Sequence, residues 1–83
     1  MLFVHPKSDK YTYFTYQTRI PLDMIWINQD HKIVEIVANA KPCTTKASQC
    51  PKLGGHEMAA LVLEVDAGIA AKNNLHAGDY LDF

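Results

Sequence analysis

The chain has 83 residues, of which 48% are hydrophobic, and its formal net charge at pH 7 is −1. A chain of this length is expected to fold as a single domain, residues 1–83, that buries about 60–65% of its unfolded surface. The eight Lys and Arg residues are scattered, which argues against a nucleic-acid partner, and no stretch approaches the roughly 18 apolar residues of a membrane-spanning helix. The apolar start is too short for the core of a signal peptide, so the chain as written is expected to be cytoplasmic, or else a fragment or mature form of something longer.

The first two predicted elements differ in how cleanly their side chains alternate. Residues 1–5 are apolar and end at Pro6, which is typical of an edge strand because proline donates no hydrogen bond to a sheet. Residues 7–10 are polar and predict a turn. Residues 11–18 alternate aromatic rings with hydroxyl groups, a composition that favours a strand. Neither face of that strand is cleanly apolar, so it either lines a semi-polar cavity or leaves its tyrosines half exposed.

A β-hairpin is the clearest prediction. Its arms are Leu22–Ile27 and residues 32–37, and the Asn-Gln-Asp-His segment between them consists of residue types that favour turns. Met24, Trp26 and Ile33 give the two arms enough apolar area to form the core of the fold.

The second half of the chain predicts a long loop between strands. Residues 38–56 form this loop, and loops of such length are usually functional or covalently tied down. Residues 59–65 are strongly apolar and predict another strand, and residues 80–83 predict a short final strand.

One short helix is predicted near the end of the chain, between Asp66 and Asn74. Asp66 is a suitable N-cap for a helix over residues 67–74, with Ile69 and Ala70 facing inward. The predicted fold class is therefore mainly β (α+β). It is either a small, partly open β-barrel or a curled antiparallel sheet, with one short helix.

Short motifs in a fixed order run through nearly the whole chain. They are Met1-Leu2-Phe3-Val4, residues 13–18, Pro21-Leu22-Asp23, Pro42-Cys43 with Cys50-Pro51, Val62-Leu63-Glu64, and Gly68 with Leu75, Gly78 and Asp79. In these motifs the chain resembles the uncharacterised ancient conserved region family, also called domain of unknown function 192. The resemblance implies a compact, partly open β-barrel with one helix.

Two departures from the family pattern have consequences. Where the family has Met-x-Asn-Thr, this chain has Tyr16-Gln17-Thr18, so any polar role of the asparagine is absent or moved to Gln17. Family members also have a longer segment ahead of the Met-Leu-Phe strand, and that segment adds strands. Without it, this chain is expected to expose a sheet edge, and exposed edges pair with other chains. The expected partner is therefore a second copy of the chain, which would self-associate through that edge.

Two cysteines, Cys43 and Cys50, lie in a C-x6-C arrangement within the predicted loop. As a disulfide they would stabilise the fold by about 2.5 kcal/mol in the chain-entropy model. Reduced structural thiols and a redox pair are the alternatives, although the spacing is not C-x-x-C and no helix N-terminus follows to stabilise a thiolate. The resemblance implies exported relatives, in which such a disulfide would persist.

Metal-binding and catalytic patterns are weak in this chain. Cys43, Cys50 and His56 lack the closely spaced pair of ligands that marks a structural zinc site. Ser8 and Ser48 lack the strand–turn–helix elbow that surrounds a serine nucleophile. We therefore expect no metal, no cofactor and no catalytic residue.

An aromatic concentration near the hairpin is the best candidate for a binding site. Aromatic walls with a few converging polar groups are typical of a small-molecule pocket or a protein contact. Alternatively, the rings form only the core of a small β domain, and the carboxylate among them only accepts hydrogen bonds from backbone N–H groups at the strand entrance. The candidate ligand-binding residues are Tyr13, Tyr16, Thr18, Arg19, Asp23 and Trp26.

The function predicted from these observations is a non-catalytic binding or protein-interaction module. Its partner would be a small molecule, another protein or a second copy of the chain. The alternative is a thiol-dependent enzyme or redox protein that uses Cys43 in the long loop. A binding module would tolerate the loss of the Cys43 thiol, whereas a thiol-dependent activity would disappear with it.

Overall fold

The computed structural model describes residues 1–16 and 18–83, so Gln17 lies outside the described residues. The architecture is mainly β, with one short helix. None of the helices in the described residues is long and apolar enough to cross a membrane. The elements are β1 (Leu2–Asp9), β2 (Thr12–Tyr13), β3 (Leu22–Ile27), β4 (Ile33–Ala40), a 3₁₀ turn (Ala47–Gln49), β5 (Leu53–Gly54), β6 (Ala59–Asp66) and α1 (Ile69–Lys72).

The four long strands form an antiparallel sheet in the order β1-β6-β3-β4, and β2 pairs with β5 in a separate two-stranded sheet. The prediction of a mainly β fold built on an antiparallel sheet with one helix is confirmed. The barrel form of that prediction is wrong, because β1 and β4 lie at opposite edges of an open sheet. The short strands β2 and β5 pair with each other and do not bridge these two edges.

The predicted hairpin is confirmed as β3 and β4. Because β3 lies between β6 and β4, both of its edges are paired, and a buried cluster packs on each of its faces, so residues 24–27 are at most 1% exposed. In the turn, the Asn28 side chain accepts hydrogen bonds from the backbone N–H groups of Asp30 and Lys32, at 2.9 and 3.0 Å. Such local bonds to an asparagine side chain stabilise turns. β4 continues to Ala40, three residues beyond its predicted end.

Each face of the sheet has its own buried cluster, because side chains alternate along the strands. The predicted core residues Met24, Trp26 and Ile33 are all fully buried. We call the two faces the tryptophan face and the helix face. The tryptophan face is built on Met24, Trp26, Ala40, Ala59 and Val62, and the helix face on Ile25, Ile27, Ile33 and Ala70.

Two segments near the start of the chain differ from the prediction. β1 does not turn after Pro6 but continues to Asp9. An edge strand tolerates a proline because N–H groups on its outer side make no hydrogen bond within the sheet. The pairing of β1 with β6 shifts register after Val4. In the aromatic segment that follows, Thr12–Tyr13 forms a strand because it pairs with β5, whereas Tyr16 makes only an isolated bridge.

The C-terminal segment lies beside the beginning of β4. The Ile33 N–H group donates to the Asp79 carbonyl at 2.7 Å, and the Leu81 N–H group donates to the His31 carbonyl at 2.8 Å. The predicted final strand is reduced to one isolated bridge between Lys32 and Tyr80. The segment therefore covers this end of the sheet without forming a regular strand.

The helix is shorter than predicted, and its first N–H groups are bound by a residue distant in sequence. β6 extends to Asp66, and α1 begins after Gly68, which has a φ of 96°. The Asp23 Oδ2 atom accepts hydrogen bonds from the N–H groups of Gly68 and Ala70, both at 3.0 Å. The predicted N-cap role of Asp66 is therefore wrong, because the Asp23 carboxylate already binds the N–H groups that a cap would bind.

The other oxygen of the Asp23 carboxylate binds the end of β4. Its Oδ1 atom accepts a hydrogen bond from the Asn39 N–H group at 2.8 Å, and Asp23 is only 1% exposed. The interpretation of Asp23 as an acceptor for backbone N–H groups is thus confirmed. Its donors, however, come from β4 and the start of the helix and not from the entrance of its own strand.

Replacement of Asp23 by alanine is expected to destabilise the fold strongly. Three backbone N–H groups lose their acceptor, and we expect the free energy of unfolding to fall by about 3 kcal/mol or more. Urea unfolding followed by Trp26 fluorescence measures this loss. The matched control is Asp66→Ala, an exposed aspartate whose removal should cost less than about 0.5 kcal/mol. Equal losses for the two variants would contradict the assignment.

Candidate functional site

The structure separates the predicted binding residues onto different faces of the sheet. Trp26 is fully buried on the tryptophan face, where Tyr13 packs against it with ring centroids 6.2 Å apart. Asp23 lies on the opposite side, against the start of α1. The structure therefore brings Tyr13 and Trp26 together and keeps Asp23 away from them.

The remaining three predicted residues lie between β2 and β3. Tyr16 and Arg19 are exposed, and the Thr18 hydroxyl donates a hydrogen bond to the Thr15 carbonyl at 3.0 Å. Tyr16 also forms an isolated parallel bridge with Cys43. This segment is thus attached to the cysteine-bearing loop.

A disulfide between Cys43 and Cys50 closes that loop, with an S–S distance of 2.09 Å. The loop is held in place by Thr15, whose hydroxyl donates to the Lys41 carbonyl at 2.7 Å. The Thr15 carbonyl in turn accepts from the Cys43 N–H group at 3.0 Å. Both cysteines of the chain are therefore bonded to each other, a state that persists in oxidising compartments.

The third residue considered as a zinc ligand, His56, has a different partner. Its Nδ1 atom lies 2.6 Å from the Glu35 carboxylate, and its backbone N–H group donates to the same carboxylate at 3.2 Å. The disulfide and these hydrogen bonds engage all three side chains that were considered as zinc ligands.

An aromatic–histidine cluster lies beside β1 on the tryptophan face. The His5 Nε2 atom and the Tyr13 hydroxyl are hydrogen-bonded at 2.6 Å. The His5 ring stacks on Tyr11 with centroids 3.6 Å apart, and Phe3 packs against Tyr13 at 5.3 Å. Residues 3 and 5 share a face of β1 by the two-residue period of a strand, which is the sequence signal that predicts this contact.

The pKa values of Tyr13, in this cluster, and of Glu64 are shifted from their usual values. Burial raises the pKa of Tyr13, and the negative charge of Glu64 and the Tyr11 phenol raise it further. Burial likewise raises the pKa of Glu64, while the amino group of Met1 opposes this shift. A phenol that resists ionisation remains a hydrogen-bonding group at neutral pH. The cluster therefore fastens β2 to β1.

The two-stranded sheet of β2 and β5 covers the Trp26 indole. Trp26 donates a hydrogen bond from its ring N–H to the Tyr11 carbonyl at 2.8 Å. Gly54 lies so close to the ring that an added Cβ would be 2.0 Å from a ring carbon. Trp26 thus belongs to the core beneath this cover, as the alternative interpretation of the sequence proposed.

The outer edge of β1 carries backbone groups that point away from the sheet. Met1 and Glu64 exchange backbone hydrogen bonds, the Glu64 N–H group donating to the Met1 carbonyl at 2.8 Å. Bonded and non-bonded pairs alternate along an antiparallel ladder, so the N–H and C=O groups of Leu2 and Val4 point outward. In the described part of the chain, no strand pairs with this edge.

An apolar groove lies next to this edge on the helix face. Its volume is about 310 Å³, and every residue that lines it is apolar. Leu2 and Val4 are 46% and 69% exposed, although both are aliphatic. The lining residues are Leu2, Ile27, Leu63, Leu81 and Phe83.

The C-terminal wall of the groove was not predicted as part of a site. Phe83 stacks on His31 with ring centroids 4.0 Å apart, and this contact places it beside the sheet. The segment was predicted only as a strand, and nothing local in its sequence indicates that it meets β1. The exposed edge itself was predicted, from the family resemblance.

Comparison with known proteins finds one matching family and similar solved structures. The family DUF192, described as Uncharacterized ACR, matches residues 1–83. A protein of unknown function from Novosphingobium aromaticivorans DSM 12444 has a similar structure, with a TM-score of 0.86 and 30% identity, covering 100% of this chain and 56% of that one. A Sinorhizobium meliloti 1021 protein described as a "putative transcription regulator" also has a TM-score of 0.86 and 30% identity, covering 99% and 60%. The chain therefore spans less than two thirds of the length of these structures. No curated protein matches it.

We expect the pKa of the Tyr13 phenol to lie above its usual value of 10.0. Glu64→Gln should lower this raised pKa, although burial still keeps it above the usual value. Ultraviolet absorbance of the phenolate, with Tyr13→Phe to identify the signal, measures both values. Because the folded-state pKa is raised, the stability that Tyr13 contributes is fully present below pH 10 and is lost as the pH rises through the folded-state pKa. Glu57→Gln removes an equal charge at an exposed position and serves as the control. A Tyr13 pKa unchanged by Glu64→Gln would contradict the coupling.

Replacement of Gly54 by alanine is expected to displace the cover over Trp26. The new methyl group would overlap a buried ring that has no room to move, so we expect a loss of about 3 kcal/mol in unfolding free energy. Gly78→Ala is the matched control, because Gly78 also has a positive φ but has nothing within 4 Å of the added Cβ. Chemical unfolding of the two variants isolates the contact from backbone strain. A loss no greater for Gly54→Ala than for Gly78→Ala would refute the close approach.

Proposed function

The chain belongs to the DUF192 family, Uncharacterized ACR, and we propose that it is a non-catalytic interaction module that binds an extended peptide strand along β1. The observation that carries this proposal is the open edge of β1 beside a wholly apolar groove. In recognition of this kind, a peptide adds a strand to the sheet. Main-chain hydrogen bonds give affinity, and pockets for alternate side chains give specificity.

The edge would bind the backbone, and the groove the side chains, of the same residues of the bound strand. In antiparallel pairing, residues directly opposite each other point their side chains to the same face. A peptide residue that hydrogen-bonds to Leu2 or Val4 therefore points its side chain to the helix face, where the groove lies. Because the groove is lined only by apolar residues, it favours an apolar side chain at every second position of the peptide.

Pro6 limits the length of the binding edge. Its ring nitrogen has no hydrogen to donate, and the regular pairing of β1 with β6 ends at Val4. Lys7 and Lys10 follow, and lysines near a sheet edge discourage non-specific pairing. The available edge is therefore short, and the proposed module binds its strand reversibly.

A thiol-dependent activity has less support. Such an activity needs a free thiolate, whereas Cys43 and Cys50 are joined in a disulfide and Cys50 is buried. The transcription-regulator description of the Sinorhizobium protein also adds no DNA-binding role here, because the net charge of this chain is −1 and its basic residues are scattered.

Binding of a designed strand tests the proposal. The probe is a fluorescein-labelled peptide in which valine alternates with threonine, and its binding is followed by fluorescence anisotropy. We expect saturable binding that disappears when the valines are N-methylated, because their N–H groups face β1, and survives when the threonines are N-methylated. Binding that tolerates both sets of methyl groups, or no binding at all, would refute strand addition.

A variant pair locates the binding edge on the protein. Val4→Lys places a charge on the binding edge and should weaken peptide binding at least tenfold, while the fold persists because Val4 is 69% exposed. Ile20→Lys is the matched control, an equivalent change at a residue that is 51% exposed and lies outside β1, between β2 and β3. An equal effect of the two variants would move the binding site elsewhere.

A further inference from the structure

The outward backbone groups of β1 form a pattern that is complementary to itself. Leu2 and Val4 each present one N–H and one C=O group, and Phe3 lies between them. In an antiparallel arrangement of two such strands, a two-fold axis at Phe3 sets Leu2 of each strand opposite Val4 of the other. All four N–H groups and all four C=O groups are then paired.

From this self-complementarity, and resting on the proposed function, we infer that the strand bound at β1 is β1 of a second copy of this chain. The two open sheets join into one continuous sheet of eight strands, four from each copy. The contact is isologous, because the same residues are used by both copies.

Pro6 selects the register of this pairing. An axis at Val4 would place Leu2 opposite Pro6, whose ring nitrogen has no hydrogen, and would leave the Leu2 carbonyl of each copy unpaired. An axis at Leu2 would leave the Val4 groups without partners within β1. A shift by one residue would place the outward N–H and C=O groups of one copy opposite residues of the other copy whose N–H and C=O groups already bind β6. The axis at Phe3 is thus the arrangement that satisfies every outward group.

Side chains on both faces support the same register. On the tryptophan face, the two Phe3 rings meet in a non-hydrogen-bonded pair, the closer type of cross-strand pair, in which aromatic partners are favourable. On the helix face, Val4 of one copy lies beside Leu2 of the other, at the wall of the groove. The exposed aliphatic surface of Leu2 and Val4 is thereby covered.

Charge does not oppose the contact. Leu2, Phe3 and Val4 are uncharged, Lys7 and Lys10 lie beyond the paired stretch, and each copy carries a net charge of only −1. The usual protections of a sheet edge, a proline and lysines, begin only after Val4. The unprotected stretch coincides with the one that pairs with a copy of itself.

Analytical ultracentrifugation over a concentration series tests the association. We expect a reversible monomer–dimer equilibrium that is insensitive to reductant. Val4→Lys should shift the dimer dissociation constant at least tenfold upward, whereas Ile20→Lys, at an exposed position outside β1, should leave it unchanged. An excess of the valine–threonine peptide should dissociate the dimer, because both occupy the same edge. A dimer unaffected by Val4→Lys would overturn the inference.

Cross-linking tests the register. Under mild oxidation, Phe3→Cys should give an intermolecular disulfide, because residues at the axis lie about 4.5 Å apart at Cα, within the span of such a bond. Val4→Cys places its two thiols farther apart and is the matched control. Mass spectrometry of the cross-linked peptides distinguishes the new bond from exchange with Cys43 or Cys50. Preferential cross-linking of Val4→Cys would overturn the register.

The outcomes separate this inference from the proposed function. A monomer at all concentrations that still binds the valine–threonine peptide refutes the second copy as occupant and retains the interaction module. A monomer that binds no peptide refutes both.

Discussion

One buried carboxylate holds the parts of this small fold together. Asp23 lies in the central strand and accepts hydrogen bonds from the N–H groups of Asn39, Gly68 and Ala70. Three segments that are far apart in the sequence thus meet at one side chain. Because charge-assisted hydrogen bonds are short and directional, this contact fixes where α1 lies on the sheet. The helix then covers Ile25 and closes one end of the helix face, which leaves the apolar groove at the other end.

The two faces of the sheet are covered by different means. The helix face has α1 and the C-terminal segment, whereas the tryptophan face is covered by the small sheet of β2 and β5. A two-residue strand has little stability of its own. The cover is therefore secured by the Tyr13–His5 hydrogen bond and the disulfide that precedes β5. In the part of the chain that the structure describes, none of these covers adds a strand to the outer edge of β1.

The sequence predicts the elements whose signals are local. The hairpin of β3 and β4 has apolar arms and a turn whose asparagine binds its own neighbours, and both signals lie within a few residues. Asp66 carried an equally good local signal for a helix cap, but the fold uses Asp23, which is more than forty positions away. The strand propensity of the aromatic segment was likewise overridden, because a strand needs a continuous partner: Thr12–Tyr13 pairs with β5, whereas Tyr16 makes only an isolated bridge. The candidate site shows the same limit. The exposed edge followed from the family resemblance, whereas the meeting of Leu81 and Phe83 with β1 depends on tertiary contacts that no local pattern reports.

The close approach of Gly54 to Trp26 has a consequence for sequence variation among relatives. A hydrogen atom is all that fits between the backbone at position 54 and the indole ring. The two positions cannot change independently: a larger residue at 54 requires a smaller ring or an aliphatic side chain at 26, and an indole at 26 requires glycine at 54. In an alignment of relatives, the two positions should therefore covary. Loss of the tryptophan would remove the steric limit at position 54, but the φ of 73° at that position would still favour glycine.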